Sequence, residues 1–482
     1  IQRMDQLRHA LVLGGVGVGG GSLVYGNTLF EPPARFFDDP TVRMLGGAER
    51  LRPYYGLARR MLGVVPNPYL GEVDQALQAA AAEMGRGETF TPSPVAVFTG
   101  SAGQSASDPY FLGQGPDRVG CTQCGGCFLG CRVDAKNTLD RNYLFLAETL
   151  GCEIVPETRV TGLIPLGPRG ADGYEVRAVE SRWFGRACTF RTRAVVVAGG
   201  VLGTVGLLLK CREQGALPYL SSRLGHGVRT NSETLVGARV RNRGADLSRG
   251  LAASSSVFPD EHTQVQADRM PAGADGMAWL STVMVDGGGR LPRWLRWVTT
   301  VLRHPLDFLR TLWPFGYARQ TVMLVVMQDL DSQLRLVLRR SWWWPFRRHV
   351  QSEVTGPRVP SYIPEGNAFA RRLARRLDAV PLSATNEVLL DVPVTAHVMG
   401  GCGIGLSSEE GVLDPGLKVH GYANLWVCDG SVLPANLGVN PALTIAAFAE
   451  SAMARVPPND EQIHWLAVDE AWGVRELIWS GA

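Results

Sequence analysis

The chain has 482 residues, a formal net charge of +3, 45% hydrophobic residues and 19% charged residues. These values exclude wholesale disorder and give no electrostatic basis for binding nucleic acid, while the length suffices for two lobes around a large core. No run of eighteen apolar residues occurs, so the sequence predicts no membrane-spanning helix. The nine cysteines are odd in number, and a chain of this size does not need disulfides, so we expect a reducing compartment, the cytoplasm.

The first motif is a glycine loop, Gly17-Val-Gly-Gly-Gly-Ser22, which follows a short apolar stretch and precedes a helix-like stretch at 23–29. Glycines let backbone N–H groups approach a diphosphate closely, but they also form tight packing turns, and this motif alone does not decide between the two. The loop is not a dinucleotide fingerprint, because no complete strand precedes it and no acidic residue follows at the spacing that binds a ribose.

The next elements follow from periodicity and composition. Residues 41–64, 70–85 and 138–150 indicate helices, whereas 99–120 is rich in Gly, Ser, Asp and Pro and indicates a loop. From 152 to 197 the period changes to two, which predicts an antiparallel meander, and the apolar run 194–198 predicts a strand buried on both faces. A helix follows at 199–209. The region 230–390 contains further alternating strands and most of the tryptophans.

Four cysteines lie in Cys121-Thr-Gln-Cys124-Gly-Gly-Cys127-Phe-Leu-Gly-Cys131. This is the C-x2-C-x2-C-x3-C spacing of bacterial ferredoxins, whose thiolates bind iron–sulfur clusters. Against that interpretation, an arginine rather than a proline follows Cys131, and no second motif is present. The alternative is a glycine-rich loop with free buried thiols, and both interpretations are open.

Tryptophan and arginine alternate in two segments, 293–315 and 339–348. In the first segment Trp294, Trp297, Val298, Val301 and Leu302 have helical spacing. Tryptophan together with arginine suits a membrane–water interface, so one hypothesis is peripheral membrane contact through both segments. The alternative is that these aromatic residues line a pocket or pack in a core. Either way, the composition indicates an apolar substrate.

The most specific motifs lie near the C-terminus: Thr395-Ala-His397-Val-Met-Gly-Gly, then Leu425-Trp-Val-Cys-Asp429-Gly430, then Gly438-Val-Asn440-Pro441-Ala-Leu-Thr. Over about sixty positions this block resembles the closing signature of the glucose–methanol–choline (GMC) flavin oxidoreductases, on the sterol oxidase side of that family. The resemblance implies an FAD-dependent enzyme that oxidises a CH–OH group. It implies an α/β fold (α+β overall), with a doubly wound FAD-binding lobe and a substrate lobe built on an antiparallel sheet.

The resemblance also implies roles for particular residues. His397 would assist proton removal, because imidazole titrates near neutral pH, and Asn440 would position the substrate oxygen or flavin edge. Pro441 would begin a helix whose N-terminus favours the negative charge of reduced flavin. His226 and His420 lack such a context and are interpreted as structural. The expected cofactor contacts are Gly17, Gly19, Gly20, Gly21, Ser22, Asn27, Val160, Asp429, Gly430, Asn440 and Pro441.

The family pattern divides the chain into an FAD-binding lobe (1–229), a substrate lobe (230–390), a return to the FAD lobe (391–455) and a tail (456–482). Because loop 17–22 matches the second glycine signature of the family, we expect the first strand and the dinucleotide fingerprint to lie upstream of the sequence. The sequence departs from the sterol oxidases at Tyr25, Asn27 and Thr28, and no counterpart of their substrate-facing acid can be identified.

The most direct functional expectation is therefore oxidation of a sterol or another bulky apolar alcohol, with hydride transfer to flavin N5. One alternative is a long-chain alcohol or lipid dehydrogenase that passes electrons to an acceptor other than oxygen. A second alternative, from a different class, is a flavin-free lipid-binding remnant.

Overall fold

The computed structural model describes residues 2–340 and 348–455. The predicted tail 456–482 and most of the segment 339–348 lie outside the described residues. The α-helices of the described ranges are α1 (Pro40–Met44), α2 (Gly47–Met61), α3 (Glu72–Ala82), α4 (Tyr143–Thr149), α5 (Gly200–Glu213), α6 (Arg293–Arg303), α7 (Pro305–Leu312), α8 (Tyr317–Gln320), α9 (Pro364–Arg376), α10 (Thr385–Leu389) and α11 (Ala442–Met453).

The β-strands of the same ranges are β1 (Gln2–Gln6), β2 (Leu11–Gly15), β3 (Val65–Pro66), β4 (Thr91–Pro92), β5 (Pro94–Val95), β6 (Ser105–Ala106), β7 (Arg118–Val119), β8 (Thr158–Pro165), β9 (Tyr174–Glu180), β10 (Ala187–Thr192), β11 (Val195–Val197), β12 (Thr234–Val240), β13 (Ala253–Val257), β14 (Thr263–Asp268), β15 (Ser281–Val283), β16 (Thr321–Gln328), β17 (Leu334–Arg340), β18 (Arg348–Val354), β19 (Ala379–Ala384), β20 (Val394–Thr395) and β21 (Leu425–Val427). The predicted mixed α/β fold with an antiparallel sheet is confirmed. The predicted meander is also confirmed, as β8, β9 and β10.

A seven-stranded antiparallel sheet, in the order β15-β19-β12-β16-β14-β13-β4, is the largest sheet of the described chain. The side chains of a strand alternate between its two faces. On one face Val236, Val265, Leu324 and Val326 pack with residues of α3 and α9 in a single apolar core. The opposite face of β14 carries Gln264, Gln266 and Asp268, which are buried as well. The sheet therefore has an apolar face under helices and a second buried face with polar groups.

Two parallel strand pairs join distant parts of the chain. β2 pairs with β20, and β11 pairs with β21. In parallel pairs the carboxyl ends of the strands meet at the same edge. The glycine loop after β2 and the histidine segment after β20 therefore leave the sheet at one edge.

The predicted helices at 41–64, 70–85 and 199–209 are confirmed as α1 with α2, α3 and α5. The helix-like stretch predicted at 23–29 is wrong. A short 3-10 turn covers Gly20–Leu23, and then Gly26 lies so close to the Phe128 ring that a Cβ atom would be 2.9 Å from it. Asn27 has a left-handed φ of 57°, and Thr28 bridges to Val95. Tertiary contacts thus replace the local helical preference. No helix in the described ranges is long and apolar enough to cross a membrane.

Candidate active site

His397 lies directly after β20, and a buried carboxylate orients its ring. Nδ1 of His397 is 3.2 Å from Oε2 of Glu233. The same oxygen accepts hydrogen bonds from Thr395 Oγ1 at 2.9 Å and from the Ala396 N–H at 3.0 Å. Glu233 immediately precedes β12 and is buried. A carboxylate near Nδ1 favours the tautomer with its proton on that nitrogen, and Nε2 is then the reactive atom.

The protonation of His397 depends on two carboxylates. Burial by itself lowers the pKa of His397, but the charge and hydrogen bond of Glu233 and the charge of Asp268 outweigh it and raise the pKa above its ordinary value. An imidazole with a raised pKa is a stronger base than free histidine. The surroundings of His397 therefore favour accepting a proton.

Asn440 approaches the free nitrogen of His397 from another part of the chain. Its Nδ2 atom is 3.4 Å from Nε2 of His397, and its Oδ1 atom is buried without a hydrogen-bond partner. Pro441 follows as the N-cap of α11. The structure thus brings together the two residues predicted to be catalytic, and it leaves Oδ1 of Asn440 available to a bound molecule.

Asp268, the last residue of β14, is a site residue that the sequence did not identify. Burial raises its pKa to about 7, although a hydrogen bond from Gln266 and the positive charges of His397 and Arg269 oppose the increase. The Gln266 Nε2 atom donates to Asp268 Oδ1 at 2.8 Å. One sequence feature could have pointed to Asp268. Gln264, Gln266 and Asp268 alternate with Val265 and Ala267, and the strand that contains them is buried throughout.

Glu233 is a second site residue that sequence reasoning missed. It stands in Thr230-Asn-Ser-Glu233, a polar tetrapeptide before a strand, and nothing in that pattern distinguishes it from a surface turn. Its role depends on a contact with the segment 395–397, which lies far away in sequence. Only the folded arrangement reveals it.

The glycine loop 17–22 borders open space. Gly19 and Gly20 have left-handed φ values of 101° and 55°, which side chains rarely adopt. A Cβ atom at Gly20 or Gly21 would meet nothing within 4 Å. Ser22 shapes the loop, because its Oγ donates to the Gly19 carbonyl at 2.6 Å and accepts from the Leu139 N–H at 2.9 Å.

The described residues fit FAD as a cofactor. Among the buried polar atoms without a protein partner, four lie in three segments near the glycine loop and His397: Asn27 Oδ1, Asp140 Oδ1, Asn142 Nδ2 and Asn440 Oδ1. Ser22 links the second segment to the glycine loop. The pairing of β2 with β20 brings the His397 segment near the loop, and Asn440 contacts His397. Unpaired buried polar groups are costly, so a ligand with many hydrogen-bonding atoms, as FAD is, suits this region.

Asp429, Gly430 and Val160 were also predicted to contact the cofactor. Oδ1 of Asp429 accepts from the Ser431 N–H at 2.8 Å, and its other oxygen accepts from the Thr204 hydroxyl. The Gly430 carbonyl accepts from the Gly400 N–H at 2.9 Å, close to the His397 segment. Val160 lies on β8, in the separate meander, and is 40% exposed. For these three residues, cofactor contact stays a prediction.

The four clustered cysteines, Cys121, Cys124, Cys127 and Cys131, are all free thiols. In the described ranges, no group of three or more His, Cys, Asp or Glu side chains is arranged to hold a metal ion. The described residues thus form no site for a single metal ion at the position of the predicted iron–sulfur cluster.

Comparisons with known proteins agree with this site. The family model described as GMC oxidoreductase matches residues 369–449. A cholesterol oxidase of Acinetobacter baumannii is 42% identical over 466 residues, which cover 94% of this chain and 83% of that protein. A cholesterol oxidase of Mycobacterium tuberculosis is 42% identical over 481 residues, or 96% of this chain and 81% of that protein. The structure of pyridoxine 4-oxidase from Mesorbium loti superposes with a TM-score of 0.58 at 12% identity, covering 94% of this chain and 88% of that one.

The relatives match nearly the whole chain, and the family model includes the segment with His397 and Asn440. The resemblance inferred from the C-terminal motifs is therefore confirmed, and the fold is shared with the pyridoxine 4-oxidase structure. The chain belongs to the GMC oxidoreductase family, is similar to the cholesterol oxidases, and is an FAD-dependent enzyme that oxidises CH–OH groups.

Proposed function

We propose that the protein oxidises the hydroxyl group of a bulky apolar alcohol, specifically a sterol, with His397 as the proton acceptor. The observation that carries the proposal is the arrangement of His397 between the Glu233 carboxylate at Nδ1 and the Asn440 amide at Nε2. FAD, when bound, supplies the acceptor for the hydride that leaves the alcohol carbon. The residues of the chain then have to orient the hydroxyl and remove its proton.

The geometry around Nε2 suits a substrate hydroxyl. A separation of 3.4 Å between Asn440 Nδ2 and His397 Nε2 is long for a hydrogen bond. A hydroxyl group that enters there can donate its proton to Nε2 while its oxygen accepts from the Asn440 amide. The imidazolium that forms is stabilised by Glu233 and by the charge of Asp268. Proton removal at Nε2 is therefore favoured while the oxygen stays in place.

The sterol assignment is supported by the relatives and by the sheet. The bacterial relatives with 42% identity over most of the chain are cholesterol oxidases. One row of paired residues runs across the second face of the large sheet from Asp268 through Met323 and Gly237 to Leu382. Three strand spacings of about 4.8 Å give this row a length of roughly 14 Å. Beyond its acidic end the row carries no charge, which suits an apolar molecule, and it ends at Leu382, which α6 and α7 cover.

An exposed apolar patch adjoins the far end of this row. We define the patch as Leu291, Trp294, Val298, Leu302, Leu306, Leu309, Leu312, Trp313 and Phe315, all of them exposed residues of α6, α7 and their flanks. The inner sides of the same helices, with Trp297, Val301 and Phe308, pack against Val380 and Leu382 of the sheet. The segment 293–315 thus has one side packed in a core and one side exposed. Each of the two interpretations of its sequence, core packing and a contact surface, applies to one side.

We infer that the patch contacts a lipid surface from which the sterol enters. Between 290 and 315 the single acidic residue is Asp307, which pairs with Arg241, while Arg290 and Arg303 are exposed. Exposed leucine and tryptophan flanked by unpaired arginine suit an anionic membrane surface. An apolar surface of this extent is unusual for a protein with no partner.

The test of the function uses the FAD-loaded protein with cholesterol and with a long-chain primary alcohol, each with oxygen and, anaerobically, with an artificial electron acceptor. We expect cholesterol to be oxidised with a higher kcat/KM than the primary alcohol. Turnover of the primary alcohol without turnover of sterol would overturn the sterol assignment. If flavin is bound and neither alcohol is oxidised, the proposed function itself is wrong.

A further inference from the structure

The four clustered cysteines converge on one cavity. Cys121, Cys124, Cys127 and Cys131 all line one cavity, together with the apolar side chains of Val97, Val133 and Leu251. In two-cluster ferredoxins the fourth cysteine of this spacing serves a different cluster. Here Cys131 faces the same space as the other three, so one loop presents four thiols to one site.

Backbone contacts fix the shape of the cysteine loop. The Cys121 N–H donates to the Phe98 carbonyl at 3.0 Å, and the Gly125 N–H donates to the Gly250 carbonyl at 2.9 Å. Gly125 has a φ of 68° and lies so close to Ser248 that a Cβ atom would be 2.4 Å from its carbonyl oxygen. Only glycine fits this position without displacing the neighbouring chain. The thiols are therefore presented by a loop anchored on two sides.

The cavity also contains a buried cation. Lys136 lines it and is 1% exposed, and its Nζ donates to the carbonyls of Leu23 and Cys127 at 3.1 and 2.9 Å. Burial lowers the pKa of Lys136 to about 8, and the charges of Cys127, Cys131 and Asp140 oppose that decrease. A buried charge without a counter-ion is costly. A cluster ligated by four thiolates is an anion and would balance it.

A single ion or a disulfide explains these features less well than a cluster. All four thiols are free, and in the described chain no three metal-ligating side chains are arranged around one ion. Thiols that surround a cavity, without meeting at one point, suit an inorganic core that fills the space between them. We propose that Cys121, Cys124, Cys127 and Cys131 ligate an iron–sulfur cluster, next to the loop 20–28 that Lys136 contacts.

The test uses the full chain with its FAD, purified under anaerobic conditions, before and after reconstitution with ferrous iron and sulfide. We expect about four iron and four acid-labile sulfide per chain, and a Mössbauer spectrum of 57Fe-labelled protein typical of a cluster with sulfur ligands. Neither measurement responds to flavin. Cys124→Ser should reduce the iron and sulfide content at least severalfold, whereas Cys152→Ser, which changes an exposed thiol outside the loop, should leave both unchanged.

Circular dichroism and thermal unfolding of Cys124→Ser show whether that variant is folded. If it is not, Cys131→Ser, at a half-buried position, takes its place. The proposal is overturned if wild-type protein and the serine variants contain equal iron, or if zinc is bound without sulfide. It is also overturned if reconstituted protein has no more iron than the same chain with all four cysteines replaced.

Discussion

His397 gains its basicity from carboxylates that belong to other strands. Glu233 precedes β12 and Asp268 ends β14, whereas His397 follows β20. The two acids raise the pKa of the imidazole against the effect of burial. The seven-stranded sheet therefore sets the basicity of His397 through the residues that it places there. Substitutions at the three positions should therefore have different and separable effects.

Replacing His397 with glutamine should remove the proton acceptor while retaining a side chain that forms hydrogen bonds. We expect kcat to fall by about two to four orders of magnitude, the usual contribution of a general base, with unchanged FAD absorbance. The matched control is His420→Gln, since that ring lies 3.0 Å from the Gly405 carbonyl, away from Asn440. A kcat for His397→Gln within a few-fold of wild type would contradict the assignment.

Replacing Glu233 with glutamine should change the pH dependence of the reaction. A base loses activity as the pH falls below its pKa. Since Glu233 raises the pKa of His397, removing its charge should move the acid limb of the kcat/KM profile to lower pH, by about one unit or more. Glutamine still offers an oxygen to Thr395 and Ala396. Glu410→Gln, at an exposed position, should not move the limb, and a shift to higher pH in Glu233→Gln would refute the proposed coupling.

Asp268 should affect stability in a way that depends on pH. Its pKa is raised from 3.8 to about 7 by burial, so between these values the folded chain retains a proton that the unfolded chain has lost. Folding stability then decreases as the pH rises from about 4 through 7. Asparagine does not ionise, so Asp268→Asn avoids the cost of a buried carboxylate at high pH. We expect this variant to raise the free energy of unfolding at pH 8 by on the order of 2–4 kcal/mol.

Chemical denaturation of Asp268→Asn and of the wild type at pH 8 and at pH 4 checks this prediction. The variant should be the more stable protein at pH 8, and the difference in the free energy of unfolding should disappear at pH 4. Asp117→Asn changes an exposed carboxylate and should show no such dependence on pH. Equal stability differences at both pH values would mean that the Asp268 carboxyl is not protonated preferentially in the folded state.

At the scale of elements, α6 and α7 carry the predicted membrane contact. Leu302 and Leu306 are 75% and 80% exposed at the centre of the patch. Replacing both with serine should weaken binding to phosphatidylcholine vesicles that contain phosphatidylserine by about tenfold or more, because less apolar area is buried. Oxidation of vesicle-bound cholesterol should fall accordingly, whereas turnover of detergent-dispersed cholesterol should stay within about twofold.

A matched control for this experiment is the double variant Leu112→Ser and Leu406→Ser, at leucines that are 70% and 71% exposed outside the patch. It should bind vesicles like the wild type. If the two double variants lose binding equally, or if the wild type does not bind vesicles, the patch has another role.

Elements with strong local signals could be predicted from the sequence. The alanine-rich run of α3 and the alternation in β14 and β16 follow from composition and periodicity. The stretch at 23–29 could not, since its conformation depends on the close contact of Gly26 with Phe128. Periodicity also placed Trp294 and Trp297 on a helix. It could not predict that Trp294 would be exposed while Trp297 packs against the sheet.

At the scale of the whole molecule, the site depends on contacts between distant segments. The C-terminal motifs identified His397 and Asn440, because a family signature preserves residues of the reaction together. Glu233 and Asp268 belong to no recognisable motif, and they reach the site only through the pairing of β2 with β20 and the order of the seven-stranded sheet. Long-range strand pairing is set by the whole fold, and no local pattern encodes it.

Some of the buried polar atoms without partners lead to a prediction about the entire chain. Atoms of Asn27, of Asp140 and Asn142, and of Asn440 are among them, so a bound FAD should connect three parts of the fold at once. Adding FAD to deflavinated protein should stabilise it by about 4 kcal/mol at a thousandfold excess over Kd. We expect the melting temperature to rise by several degrees, and hydrogen exchange to slow in all three segments together.

Two controls, NAD+ in place of FAD and the variant His397→Gln, show whether the rise in melting temperature is specific to FAD bound by the three segments. An equal concentration of NAD+ should leave the melting temperature unchanged, because NAD+ has no isoalloxazine ring or ribityl chain to contact Asn440 and the His397 segment. His397→Gln should retain the full shift, since His397 is assigned to the proton and not to holding the cofactor. Slower exchange in a single segment would show that the unpaired atoms do not share one ligand. An unchanged melting temperature would show that these residues do not bind FAD, and that the fit of the three segments to the cofactor is wrong.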